Sequence, residues 1–246
     1  MEEIKVKGIV IKAVDYKDSD KLVTIFSAEK GLINARVRGV KKSKAKLAFA
    51  IQPFAFVEFM LIRSGNFYTC INASSIDQFF DITLDFDNYI FMLACLEVCS
   101  KTIKENAPEP ELFVMLLNSL NLVCYNGVNS MYVFIKFMLE MMKILGFEMT
   151  ISNCSLCGKK VQNNKFLAFS YEYNGIICEN CAKNEDCLEL SKGEYSILNF
   201  INETSLENLS KLKFLSRNDL ISVINLLIKD FRFLTEQSIE SIKKFL

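Results

Sequence analysis

Four cysteines constrain this chain more than any other feature. They stand as two C-x2-C pairs, Cys154/Cys157 and Cys178/Cys181, with twenty residues between the pairs. Two thiols separated by two residues on a tight turn aim at one point, and two such knuckles complete a tetrahedron of sulfurs about 2.3 Å from a metal ion. Gly158 follows the first knuckle and Gly175 precedes the second, and both read as suppliers of turn conformations. Between them, Phe166-Leu167-Ala168-Phe169-Ser170 reads as a strand that packs the knuckles together. The pattern predicts one structural Zn2+ per chain, held by Cys154, Cys157, Cys178 and Cys181. Four thiolates leave no position for water, so the ion stabilises rather than catalyses. A redox dithiol usually occurs once, beside a βαβ unit, and iron–sulfur proteins favour other spacings. Cys187 reads as a spectator or, at most, a substitute ligand.

The remaining cysteines (Cys70, Cys95, Cys99 and Cys124) show no paired spacing that implies disulfides, and Cys95 and Cys99 fall in an apolar helical run where cysteine acts as a small hydrophobe. A reducing, cytoplasmic setting is expected. The N-terminus alternates polar and apolar residues instead of forming an export signal, and the apolar run Leu112 to Cys124 is broken by Asn118 and Asn121. It is shorter than the roughly 20 residues of a spanning helix, so a soluble protein with no membrane partner is expected. With no histidine in 246 residues, there is no imidazole base, no Ser-His-Asp triad and no HExxH site. Phosphate-binding glycine loops are also missing. The chain reads as a binding protein, not an enzyme.

Its formal net charge of zero hides an asymmetry. Residues 1–80 carry 13 Lys and Arg against 8 Asp and Glu, whereas residues 81–246 carry 16 against 21. Six of the cations, Arg36, Arg38, Lys41, Lys42, Lys44 and Lys46, fall within eleven residues that contain no acid. That is the footprint of a polyanionic partner. Arg36 and Arg38 are read as alternating along a strand, so that both leave one face beside the lysine loop. Phe54, Phe56, Phe59, Phe67 and Tyr68 are candidate base stackers, but most read better as core residues and none is singled out.

Residues 3–80 fall into five short β-branched and aromatic runs. The turn signals between them are Asp15 to Asp20, Lys30-Gly31 and Ser64-Gly65-Asn66. Five short strands in this length predict a small closed barrel, most simply an OB-fold. After Ile82 the apolar period becomes helical, over 84–105, 109–126 and 129–146, then 191–202, 217–235 and 236–245. Ser191 and Glu194 form a candidate capping box. The predicted organisation is an OB-fold barrel at 1–80, then an all-α domain at 81–246 with a four-cysteine zinc finger inserted at about 150–187.

At this level of detail the chain resembles the RecO family of recombination mediators along nearly its whole length. The resemblance rests on Lys7-Gly8-Ile9-Val10, Asp15-Tyr16, Asp20-Lys21, Thr24-Ile25-Phe26 and Gly31, and most closely on Arg38-Gly39-Val40-Lys41-Lys42, Ser43, Lys46-Leu47 and Gln52-Pro53-Phe54. Pro110-Glu111-Leu112-Phe113 and the position of the knuckles add to it, while Asn174-Gly175 departs from the usual glycine pair. The resemblance implies an OB-fold, a helical domain and an embedded zinc finger. It further implies binding of ssDNA and dsDNA, annealing of complementary strands, and work with RecR to place RecA on DNA coated by single-stranded DNA-binding protein. The C-terminal tail of that coating protein would meet the helical domain, and a nucleoid-associated bacterial protein would result. A zinc-ribbon transcription regulator and a cysteine-based oxidoreductase are the rival readings.

Overall fold

The computed structural model describes residues 3–42, 44–64, 67–161, 167–212, 216–243 and 245. It divides into two compact units, Met1–Asn126 and Gly127–Leu246. The change from strand-like to helical periodicity after Ile82 therefore lies inside the first unit.

In the first unit, β1 (Glu3–Tyr16), β2 (Asp20–Ser27), β3 (Gly31–Val37), β4 (Phe56–Ser64) and β5 (Phe67–Asp77) close a barrel in the order β1-β2-β3-β5-β4. All neighbours are antiparallel except β3 and β5, which are parallel. This is the OB-fold expected from five short strands. Closure depends on β1, which pairs with β4 through Glu3–Ile9 and with β2 through Ile9–Tyr16. At this corner Gly8 has no room for a side chain, because a Cβ would lie 2.4 Å from Ile25 Cγ2 and 2.7 Å from the Phe26 carbonyl oxygen. Val6, Val10, Val23, Ile25, Ile33, Ala35, Val57, Phe59 and Leu61 fill the interior.

A 3-10 turn at Ala48–Ile51 precedes β4, and another at Phe80–Leu84 leads into α1 (Phe86–Thr102) and α2 (Pro110–Asn126). Asp85 caps α1 by accepting the Asn88 N–H at 2.9 Å. Phe113 of α2 packs edge-on against Phe26 of β2, with ring centroids 5.5 Å apart. The α1–α2 loop bridges to the start of β3 at Gly31, where φ is +63° and a Cβ would meet the Ala107 carbonyl at 2.1 Å. Glycine is the residue that tolerates both conditions.

The second unit is built on α3 (Ser130–Ile144), buried along nearly its whole length. The cysteine module follows, with β6 (Leu167–Ser170), β7 (Gly175–Cys178), α4 (Glu179–Ala182) and β8 (Leu188–Glu189), and then α5 (Lys192–Glu203) and α6 (Arg217–Thr235) pack on α3. Ser191 and Glu194 make the expected capping box of α5. At its other end, the buried Lys136 donates to the Asn202 carbonyl at 3.0 Å while paired with Glu140 at 2.7 Å. A cation here satisfies a carbonyl that a helix C-terminus leaves open.

The helix expected over 236–245 is not formed among the described residues. Glu236 takes the left-handed conformation that ends α6, and Thr235 accepts the Gln237 N–H. Successive turns then carry Ile239 and Ile242 into the core. Their spacing of three imitates a helical stripe. A 3-10 segment at Leu206–Lys211, which sequence periodicity does not reveal, buries Leu209.

Asp230 of α6 is fully buried, and among the described residues neither carboxylate oxygen has a hydrogen-bond partner. Burial pushes its pKa up to about 7, and its charge in turn adds to the burial that raises Tyr171. Below the ordinary aspartate range the acid is neutral in both folded and unfolded chains. As pH rises from about 4 to about 7 the unfolded chain ionises first, so stability falls across that window. Asp230→Asn is expected to flatten the slope and gain about 2 kcal/mol at pH 8, after the cost of an unpartnered amide. Urea melts of both proteins at pH 5 and pH 8 measure this; parallel pH profiles would refute it.

Candidate metal centre and nucleic-acid interface

The four cysteines of the knuckle pattern converge, with all sulfurs within 4.8 Å of one another. The first knuckle is closed by the Gly158 N–H donating to the Cys154 carbonyl at 2.8 Å, with Gly158 at φ +72°. The second begins where β7 ends, so that Cys178 leaves the strand and Cys181 sits one turn later in α4. The β6–β7 hairpin joins them, as the apolar run predicts, although Phe166 lies outside the described residues.

Gly175 has a different role from the one read in the sequence. The positive φ falls on Asn174 (+45°), whose Nδ2 donates to the Phe147 carbonyl at 3.0 Å. Gly175 instead lets the hairpin pack on the segment entering the first knuckle, since a Cβ there would lie 2.5 Å from the Thr150 carbonyl.

Cys157 Sγ and Cys178 Sγ are 3.8 Å apart, the edge of a tetrahedron with metal–sulfur bonds of about 2.3 Å. Cys154 is nearly fully buried, and its sulfur accepts the Cys178 N–H at 3.4 Å. Burial raises the Cys154 pKa, but the N–H groups of Cys157, Cys178 and Leu156 outweigh it and bring the thiol to about 6. Cys181 is pushed up to about 12 by desolvation and by its role as donor to the other sulfurs. A thiolate stabilised in this way fits a metal cation, and the centre has the chemistry of a four-thiolate metal site. Cys187 is not in the cluster; its sulfur lies 3.9 Å from the Ala182 carbonyl. Cys95 and Cys99 are completely buried and their thiols are driven up, by burial first, so they behave as core residues.

The cationic segment divides into anchors and free charges. Arg36, in β3, donates through Nε to Asp20 Oδ2 at 2.7 Å and through Nη2 to the same oxygen, and its guanidinium lies 5.4 Å from the Tyr16 ring centroid. Asp20 is almost buried and also accepts the Gly39 N–H at 2.8 Å. That backbone donor, followed by Arg36, lowers its pKa. Gly39 has φ +66°, a conformation that side chains rarely adopt. Lys41 is paired with Asp15 at 2.9 Å, beside Lys21 at 3.4 Å. The β1–β2 turn thus fastens the start of the loop.

Arg38 lies one residue beyond β3, so it does not share a strand face with Arg36 as expected. Arg38, Lys42, Lys44 and Lys46 are exposed, and among the described residues none forms an ion pair. Arg38, Lys46, Leu47, Ile71 and Asn72 border a groove of about 300 Å³ between this loop and β5. Of the candidate stackers, Phe54 and Phe59 are fully buried, Phe56 packs on Phe113 with centroids 5.9 Å apart, and Tyr68 packs on the barrel core. The Phe67 side chain and Ser43 lie outside the described residues. The groove and its β5 wall were not legible in the sequence, where Ile71 and Asn72 read as ordinary strand residues.

An OB barrel with an exposed cationic loop, followed by a helical unit that embeds four clustered cysteines, defines a class of OB-fold proteins with an inserted cysteine finger. Residues 1–79 match the N-terminal domain of recombination protein O, and residues 83–226 match its C-terminal domain. The chain belongs to the RecO family. It is similar to the DNA repair protein RecO of Caldicellulosiruptor saccharolyticus, 31% identical over 89% of this chain and 87% of that one. It is also similar to the proteins of the same name from Acetivibrio thermocellus (29% identical, over 85% and 83%) and Clostridium perfringens (26%, over 99% and 98%). No helix among the described residues is long and apolar enough to cross a membrane.

Proposed function

We propose that this protein is a DNA-repair mediator that binds ssDNA and dsDNA through the barrel, residues 1–80, and acts without bond chemistry of its own. Its work is to anneal complementary strands and, with RecR, to place RecA on DNA coated by single-stranded DNA-binding protein. The tail of that coating protein meets the helical part of the chain. Support comes from the family and from relatives that are named DNA repair proteins.

The observation that carries the reading is the set of four exposed cations, Arg38, Lys42, Lys44 and Lys46, on a loop that Asp15 and Asp20 of the neighbouring strands hold in place. They neutralise phosphates of one strand and so reduce the repulsion met by a second. Arg36 and Lys41 shape the loop and contribute charge at shorter range. Zinc is the metal that four cysteine ligands best fit, and its role here is to clip the fold together.

A salt series tests the reading. Four phosphate contacts give a slope of log K against log salt of about −3 on single strands and about −3.6 on duplex. Fluorescence anisotropy with the full chain measures both. A slope near zero would exclude this interface.

A further inference from the structure

The register of β5 is broken at one point on the groove wall. Met60 of β4 pairs with Asn72, but the next residue, Leu61, pairs with Cys70, so Ile71 is an extra, bulged residue. In a regular strand Ile71 and Asn72 would point to opposite faces. The bulge turns both outward, each is exposed, and both border the groove beside Arg38 and Lys46. Bulges re-aim side chains in this way, often next to binding sites.

Local bonds hold the bulge in place. The buried Cys70 thiol, pushed up to about 11 by burial and hence a proton donor, donates to the Asn72 carbonyl at 3.3 Å. The Asn72 side-chain oxygen accepts the Ala73 N–H at 2.9 Å. This fixes the amide orientation, with Oδ1 engaged by its own strand and Nδ2 left to donate.

We infer that this groove is a subsite for one unstacked nucleobase of single-stranded DNA, with Ile71 and Leu47 against the base face and Asn72 Nδ2 donating to an acceptor on the base edge. The inference rests on the reading of the loop as a DNA interface and deepens it. Arg38 and Lys46 at the margin would take the flanking phosphates. A bare phosphate has no use for two aliphatic walls and an amide, whereas a nucleotide uses all three. The volume of about 300 Å³ lies at the small end of ligand sites. Bases in a duplex are paired and stacked, so they cannot enter. The loop cations therefore serve both forms of DNA, and the groove serves the single strand alone.

The test compares fluorescein-labelled oligothymidylate with a duplex of equal length, using the full chain and Ile71→Ser combined with Asn72→Ala. Both side chains are exposed, and although Asn72→Ala gives up the bond to the Ala73 N–H, the Cys70 bond to the Asn72 carbonyl stays, so the barrel should persist; thermal melts check this. Affinity for the oligothymidylate is expected to fall about five- to tenfold, while that for duplex changes less than twofold. Arg38→Ala, Lys42→Ala and Lys46→Ala together lower both affinities. Equal loss on both substrates by the groove variant, or no loss on the oligothymidylate, overturns the base subsite and leaves the cationic loop standing. Unchanged binding by the triple variant overturns the loop reading, and the subsite with it.

Discussion

If the four cysteines hold a metal, as proposed, its chelation is expected to melt the cysteine module and to lower the thermal midpoint of the Gly127–Leu246 unit by more than about 10 °C. Structural zinc in finger peptides contributes apparent binding energies of about 10–16 kcal/mol. Apart from a small apolar core that includes Phe169, Ile176 and Ile177, the module has little regular structure of its own. Each of β6 and β7 has four residues, β8 has two, and α4 is a single turn. Without an ion, the Cys154 thiolate keeps its burial but loses its counter-charge, and Cys181 retains a proton that a metal would displace. Cys154→Ala should be the most damaging single change, because Cys154 is nearly fully buried and its sulfur takes the Cys178 N–H. Elemental analysis should find one zinc per chain, and calorimetry with and without chelator reads the midpoint. A chain free of metal with the same midpoint would eliminate a structural ion. A chelated protein that stays folded yet no longer binds DNA would move the interface to the knuckles.

The barrel and the metal centre were legible in the sequence for local reasons. Strand alternation, the helical period and the C-x2-C spacing are each set by a few neighbouring residues, and the Ser191/Glu194 box is complete within four. What was not legible depends on residues far apart in the chain. The anchoring of Arg36 is one case, because its partner, Asp20, lies sixteen residues away and becomes a neighbour only when β2 pairs with β3. Likewise, the bulge at Ile71 arises from the register of β5 against β4, and nothing in the run Tyr68 to Ala73 announces it. Gly175 was read as a turn glycine, although its requirement is clearance from Thr150, a contact across 25 residues. At 236–243 the apolar spacing was read correctly but is satisfied by turns, because Glu236 ends the helix first.

The same separation of anchors from free charges gives the second large expected effect. Replacing Arg38, Lys42 and Lys46 together with alanine should weaken DNA binding about a hundredfold at 0.1 M salt. Each phosphate contact steepens the dependence on log salt by about 0.7 on single strands to 0.9 on duplex, so three contacts are worth about two to three powers of ten at that concentration. The salt slope should become shallower by about two units on single strands and nearly three on duplex, for the same reason. Stability should hardly move, since all three side chains are exposed and none is ion-paired among the described residues. Arg36→Ala should behave in the opposite way. It strips Asp20 of its guanidinium while the carboxylate stays almost buried, so the barrel loses stability. Any loss of DNA affinity then follows from a displaced Gly39 loop. Anisotropy across a salt series, paired with a melt of each variant, separates the two roles. If the triple variant keeps its affinity and slope while Arg36→Ala abolishes binding in a folded protein, the working charge is on the strand and the loop is only its support.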